Sequence, residues 1–343
     1  MALWTPDNLD PALSKRLWVD AQAAGAWTLG SGGVIDQATD KSGLGNHLTP
    51  ATATKPTFSE TAKNGLPGIV FANVADALIT PAMAQSDGAT GVYVLLVASK
   101  EADPVNYSVP FCMGANNTQW QLIWANYTSG IPVADQGKSY WRNSLSGGGD
   151  AVSAGGIVVT GDTMLWTGTQ ANAEFDQRFN GNLMGTRGTG TRNFGASTAL
   201  TIGSTPATNY STHQLQGVLQ EFLLIYGIPT QEDKDRLLGY AAHRWGLESQ
   251  LPGDHPYKNA PPYSFAGRIY GTVRDKNGAL AARHVRLIQE STQQCVAEID
   301  SHPVTGEFEF SDSLAEEPYT LVFSGESDRN AIVFSGVVPE ATE

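Results

Sequence analysis

Short apolar or alternating runs separated by turn formers dominate the middle of the chain. From Gly91 onward they come in close order: "GVYVLLVASK" (91–100), "QWQLIWANY" (119–127), "GGIVVTG" (155–161), "TMLWTGTQ" (163–170), "ALTIGS" (199–204) and "VLQEFLLIYG" (218–227). The first reads as a buried strand. The second alternates, with Trp120, Leu122 and Trp124 on one face and Ile123 and Tyr127 on the other. "QRFNGNLMG" carries Asn180-Gly181 between two short runs, the mark of a tight hairpin. So much strand with so little helix predicts an antiparallel sandwich or jelly roll.

One helix is predicted. Thr230 caps it, Asp233 takes the third helical position, and Leu237, Leu238, Ala241 and Trp245 share one face before Gly246 stops it. The following "LPGDHPYKNAPPY" has too many prolines for a helix or an inner strand, and predicts an extended, semi-rigid connector over 251–263. Beyond Ser264 the texture changes to "GRIYGTVR", "RHVRLIQ", "CVAEID", "EFEFSD", "YTLVFSG" and "AIVFSGVV". These six strand-like runs predict a small Ig-like or transthyretin-like β-sandwich over 264–343, after a large β domain over 1–250.

Length and charge narrow the classes. The chain's 343 residues suffice for two domains. A net charge of −13 argues against a grip on nucleic acid or anionic lipid, and residues 264–343 hold 13 of the 34 acids against 6 basic residues. No window approaches the apolar length of a membrane span, so no membrane insertion is expected. The start "MALWTPDNLD" has neither a basic n-region nor an apolar h-region, so no signal peptide is expected and synthesis in a bacterial cytoplasm is. Cys112 and Cys295 fall in different predicted domains and read as free thiols.

The first domain resembles the concanavalin A-like, laminin-G-like jelly rolls frequent in bacteriophage structural proteins and bacterial surface proteins. The resemblance is carried by "LWVDAQ" (17–22), "DKSGLGNHLTPATATKPTF" (40–58), "GLPGIVF" (65–71), "LTIGS" (200–204) and the closing 219–262. It implies two antiparallel sheets with the late helix against the sandwich edge. The second domain resembles the carboxypeptidase-regulatory-like sandwiches that follow such jelly rolls in phage virion proteins, through "GTVRDKNGALAARHVRLIQ", "DSHPVTGEFEF" and "VFSGVVP". The expected fold class is therefore all-β: a concanavalin A-like jelly-roll sandwich with one C-terminal helix, plus a small Ig-like sandwich.

Chemistry is sparse. Retaining glycosidases need two carboxylates about 5–5.5 Å apart, yet Glu101/Asp103 and Glu174/Asp176 supply only half of the laminarinase-like pattern and lie in no clear strand. No Gly-x-Ser-x-Gly elbow occurs. His243, Asp254 and His255 raise the question of a metal site, whereas the resemblance makes this segment the structural close of the domain. Laminin-G-like relatives often hold Ca²⁺ on a sandwich rim through oxygen ligands. Asp40, Asn46 and Asp76 are the candidate ligands here, although Ala72 and Ala75 replace two acids common in related sequences. For a metal-free sugar site, Trp120, Trp124, Tyr127, Tyr140 and Trp141 are candidate stacking residues, with core packing as the alternative.

The resemblance implies a non-enzymatic bacteriophage virion protein of the tail tip, fibre or baseplate region. Expected partners are other virion proteins and host cell-surface polysaccharide, gripped weakly by several copies per particle. The alternatives are a purely architectural virion protein and a polysaccharide-cleaving enzyme.

Overall fold

The computed structural model describes residues 2–73, 75–83, 91–102, 107–113, 120–125, 138–143, 149–171, 174–188, 199–204, 214–264, 267–275, 278–290, 294–310, 319–324, 332–337 and 340–341. They divide into two compact units, Leu9–Pro261 and Met1–Asn8 with Pro262–Glu343. The chain is an all-β sandwich protein with one α-helix among the described residues.

In the larger unit an eight-stranded antiparallel sheet runs Asn182–Gly188, Glu174–Phe179, Thr163–Ala171, Gly91–Lys100, Gly217–Tyr226, Leu66–Phe71, Thr57–Lys63, with Ser14–Asp20 also paired to Gly217–Tyr226. A seven-stranded sheet runs Gly149–Ile157, Lys138–Asn143, Trp120–Ala125, Tyr107–Met113, Leu200–Ile202, Leu78–Ile79, Thr49–Pro50. The core lies between them. Val92, Val94, Leu96, Ala98, Trp166, Phe222 and Leu224 of the first sheet meet Phe111, Met113, Leu122, Trp124 and Ile202 of the second. Phe111 packs its ring 5.2 Å from Phe222 and 5.9 Å from Trp166.

The apolar runs without alternation are explained by what covers the other face of the first sheet. Tyr93, Leu95 and Val97 point away from the core yet are buried, because helix α1 (Gln231–Trp245) crosses them. The helix is built as its sequence predicts. Thr230 Oγ1 accepts from the Asp233 amide at 3.1 Å, and Gly246 ends it in the left-handed conformation at φ 66°. Leu237, Leu238, Ala241 and Trp245 are all buried. The Asn180-Gly181 hairpin is also present, both residues at positive φ as a type I′ turn requires.

The segment after α1 departs from expectation. It is a series of turns folded against the helix, not an extended run. Tyr257 is gripped on both sides of its backbone: its carbonyl accepts from His243 Nε2 at 2.8 Å, and its amide donates to His255 Nδ1 at 3.2 Å. Gly239 makes room for the Tyr257 side chain, whose atoms would lie 2.4 Å from a Cβ there. The two histidines therefore hold a loop.

The smaller unit contains a three-stranded sheet (Glu307–Phe310, Gly267–Thr272, Glu340–Ala341) and a four-stranded one (Gln294–Asp300, His284–Gln289, Tyr319–Phe323, Ile332–Val337). Ile269, Val285, Leu287, Phe308, Phe310, Leu321 and Phe323 form its core. "EFEF" alternates exposed glutamates with buried phenylalanines, as a half-solvated strand should. A short ribbon joins Ala2–Leu3 to Tyr263–Ser264, which brings the start of the chain into this unit.

Candidate functional site

Among the expected aromatic residues, Trp124 is a core residue: it is fully buried between the sheets and cannot serve as a sugar platform. Its strand alternates, and Leu122 and Trp124 both face the interior. Trp120, Tyr140 and Trp141 lie on the neighbouring strands Trp120–Ala125 and Lys138–Asn143, with Trp141 opposite Leu122 and Tyr140 opposite Ile123. Their side chains, and Tyr127 entirely, lie outside the described residues.

The expected oxygen ligands have internal duties. Asp40 Oδ1 accepts from the amides of Trp18 (3.0 Å) and Ser42 (2.9 Å), and Oδ2 accepts from Ser42 Oγ (2.7 Å) and the Asn46 amide (2.9 Å). Four donors thus organise the "DKSGLGN" loop around one carboxylate. Asn46 ties the same loop to the Arg16 carbonyl at 2.7 Å. Asp76 Oδ2 accepts from the Asn73 amide at 2.8 Å, and burial pushes its carboxyl up from the usual range. Among the described residues no three His, Cys, Asp or Glu side chains are grouped to hold a metal. The hairpin strand Glu174–Phe179 reaches back to Glu174 and Asp176, which were expected in no clear strand, although the Glu174 side chain lies outside the described residues.

Two polar sites lie under α1, on the outer face of the eight-stranded sheet. The first sits below its C-terminal half and was not signalled by any motif. A β-bulge at Gln220 shifts the register between Leu219 and Glu221, so that Leu219 and Phe222 both face the core while Glu221 faces the helix. Glu221 pairs in register with Asp20, and neither is exposed. Glu221 Oε1 accepts from Trp18 Nε1 (2.9 Å) and the Tyr240 hydroxyl (3.1 Å), and Oε2 accepts from Trp245 Nε1 (2.6 Å). Asp20 accepts from Arg244 Nε (3.2 Å), Arg244 NH2 (2.7 Å), Lys41 Nζ (2.8 Å) and the Gln22 amide (3.0 Å). Lys41 Nζ also lies 3.8 Å from the Trp18 ring centroid. Burial and the Asp20 charge push Glu221 up to about 7, against the pull of the two indole N–H groups. All four carboxylate oxygens are hydrogen-bonded inside the protein. This pair can fasten a helix, but no substrate can reach it.

The second site lies under the N-terminal half. Tyr93, Thr167, Thr169, Arg178, Lys234 and His255 line a small cleft with about 30 Å³ of enclosed space. The register explains the polar floor: Tyr93 is opposite Thr169, which is opposite Asp176, and Thr167 is opposite Arg178. The outer face thus turns from apolar to polar as it leaves the central strand. Burial pushes the Tyr93 hydroxyl far above its ordinary range, keeping it a neutral donor. Burial lowers the Lys234 ammonium and the His255 imidazole, in each case against nearby acids.

No family model matches the chain, and no curated protein does. Similar solved structures include Domain 4 of AbnA, a GH43 extracellular arabinanase from Geobacillus stearothermophilus, in complex with arabinotriose, at 11% identity over 64% of this chain and 95% of that one, TM-score 0.43. The binding domain of Paraclostridial Mosquitocidal Protein 1 is similar at 11% identity over 94% and 75%, TM-score 0.46. The binding domain of Botulinum Neurotoxin DC in complex with SialylT is similar at 9% identity over 94% and 73%, TM-score 0.44.

Proposed function

We propose that this is a non-enzymatic bacteriophage virion protein of the tail tip, fibre or baseplate region, whose larger sandwich adheres weakly to host-surface carbohydrate. The observation that carries the reading is the cleft under the N-terminal half of α1. Its polar lining offers hydrogen-bonding groups to a ligand, while the buried acid pair offers none to a hydrolytic step. Asp20 and Glu221 are unexposed, and every oxygen accepts an internal hydrogen bond. A polysaccharide hydrolase needs its two carboxylates open to the glycosidic bond. The polar cleft beside them supports contact with sugar instead. Weak sites become useful when many copies act together, as a virion displays them.

The test displays the full chain in many copies on beads and challenges it with a panel of bacterial envelope polysaccharides, with calcium or with chelator. Saturable capture, far weaker for the free chain, is the expected result. No capture of any polysaccharide would sink the adhesion reading. Capture lost in chelator would assign calcium to Asp40, Asn46 and Asp76, and capture indifferent to chelator would make the adhesion metal-free.

A further inference from the structure

The cleft under the N-terminal half of α1 holds an unusual set of polar atoms that lack partners. The Tyr93 side chain is 1% exposed, and its hydroxyl makes no hydrogen bond of ordinary geometry although Thr167 is near. His255 Nδ1 accepts from the Tyr257 amide, so in the neutral ring the proton sits on Nε2. That Nε2–H is buried and has no acceptor. Lys234 is half-buried and makes no ion pair among the described residues. Three donors therefore line one small space without a partner of their own, where buried polar groups are normally satisfied. The carboxylate that lines the cleft, Asp235, is already engaged, its Oδ1 accepting from Gln231 Nε2 at 2.8 Å.

We propose that this cleft binds the carboxylate-bearing terminal unit of an acidic sugar. The carboxylate accepts from Lys234 Nζ, the Tyr93 hydroxyl and His255 Nε2, and the ring stays at the open mouth. The cation sets the charge of the ligand, and the orphaned donors set the number of acceptor atoms it must bring. Asp176 and Asp235 beside the cleft disfavour a polyanion such as a phosphate. The enclosed part of the cleft is only about 30 Å³, room for a carboxylate with the sugar ring left at the open mouth, so a terminal unit suits it and the interior of a chain does not. The carboxylate follows from the cleft itself. That a sugar carries it rests on the adhesion reading above.

The experiment is calorimetric titration of the full chain with glucuronate, glucose and acetate, repeated on Tyr93→Phe and Lys234→Gln. Glucuronate is expected to bind, with glucose and acetate at least about tenfold weaker, and each substitution should weaken glucuronate about tenfold. Tyr93→Phe removes only an unpartnered hydroxyl and keeps the packed ring, so failure to fold will not obscure its result. Absence of glucuronate binding, equal binding of acetate, or affinity unchanged in both variants would each overturn the proposal. Polysaccharide capture that survives in both variants while glucuronate binding is lost would uncouple the cleft from adhesion. Glucuronate binding without any polysaccharide capture would sink the adhesion reading alone.

Discussion

The two polar sites under α1 are built from similar side chains and differ in closure. Below the C-terminal half, two carboxylates meet two cations, two indoles and a phenol, and every carboxylate oxygen is paired. Below the N-terminal half, a lysine, an arginine, a histidine, a phenol and an aspartate line a cleft, and the Tyr93 hydroxyl, His255 Nε2 and Lys234 Nζ have no hydrogen-bond or ion-pair partner among the described residues. Buried polar groups stabilise only when satisfied. The first site is therefore a fastener whose loss weakens the fold, whereas the second already carries unmet hydrogen-bonding capacity that a ligand can meet.

Breaking the closed site should have the largest effect. Asp20→Ala leaves the Arg244 guanidinium and the Lys41 ammonium against the sheet without their counter-charge. The expected loss is about 3 kcal/mol in urea unfolding, with glucuronate affinity unchanged at a temperature where the variant stays folded. Glu221→Gln puts an amide NH₂ where an indole N–H already points. Indoles only donate, so one of Trp18 or Trp245 is orphaned at a cost of about 1–3 kcal/mol near neutral pH. The same variant tests the pH dependence. Glu221 is raised from 4.5 to about 7 in the folded state, so between those values the folded state binds more protons than the unfolded one. Stability of the parent protein should fall as pH rises across this window and level off above it. Its proton has one place to go, on Oε1 facing Tyr240, whose hydroxyl can turn to accept. Unfolding measured from pH 4.5 to 8 should show this slope, and Glu221→Gln should abolish it.

Much of the frame around these sites was legible in the chain. Thr230, Asp233 and Gly246 mark the ends of α1 because capping is local chemistry, and Asn180-Gly181 marks its hairpin because only a few residues tolerate positive φ. The closed site was not legible. Asp20 and Glu221 are 201 positions apart, and only the bulge at Gln220 turns Glu221 toward the helix. Period-two counting carries no mark of such a shift. Asp40 was ambiguous for another reason: an acid in a glycine-rich loop suits a cation and suits turn amides equally well, and the amides of Ser42 and Asn46 both donate to it. Trp124 was ambiguous because alternation assigns a side chain to a face without saying which face is covered.

A smaller effect should separate the two halves of the helix. Thr230 Oγ1 accepts from the Asp233 amide and donates to Asp233 Oδ2 at 2.7 Å, so Thr230→Ala should cost about 1 kcal/mol. The closed site should confine the damage. Hydrogen exchange should quicken for the amides of Asp235 to Leu238 and stay slow for Ala241 to Trp245, where Tyr240, Arg244 and Trp245 hold the sheet. Equal acceleration along the whole helix would mean that the two sites are not independent.

The smallest effect on stability should come from Tyr93→Phe, and it is the most informative. A hydrogen-bonded buried phenol loses about 1 kcal/mol or more when its hydroxyl is removed, because its partner is stranded. Tyr93 strands nothing, and its removal relieves a desolvated hydroxyl, so the midpoint of unfolding should stay put or rise by up to about 1 kcal/mol in equivalent stability. Tyr240→Phe is the matched control at the closed site, since its hydroxyl donates to Glu221 at 3.1 Å and should cost about 1 kcal/mol or more. The two tyrosines lie under one helix and carry the same group, so a difference of sign isolates whether the hydroxyl is paired within the protein. A loss at Tyr93 as large as at Tyr240 would mean that the Tyr93 hydroxyl is already satisfied in the free protein, and the cleft would have no unmet donor there to offer a ligand.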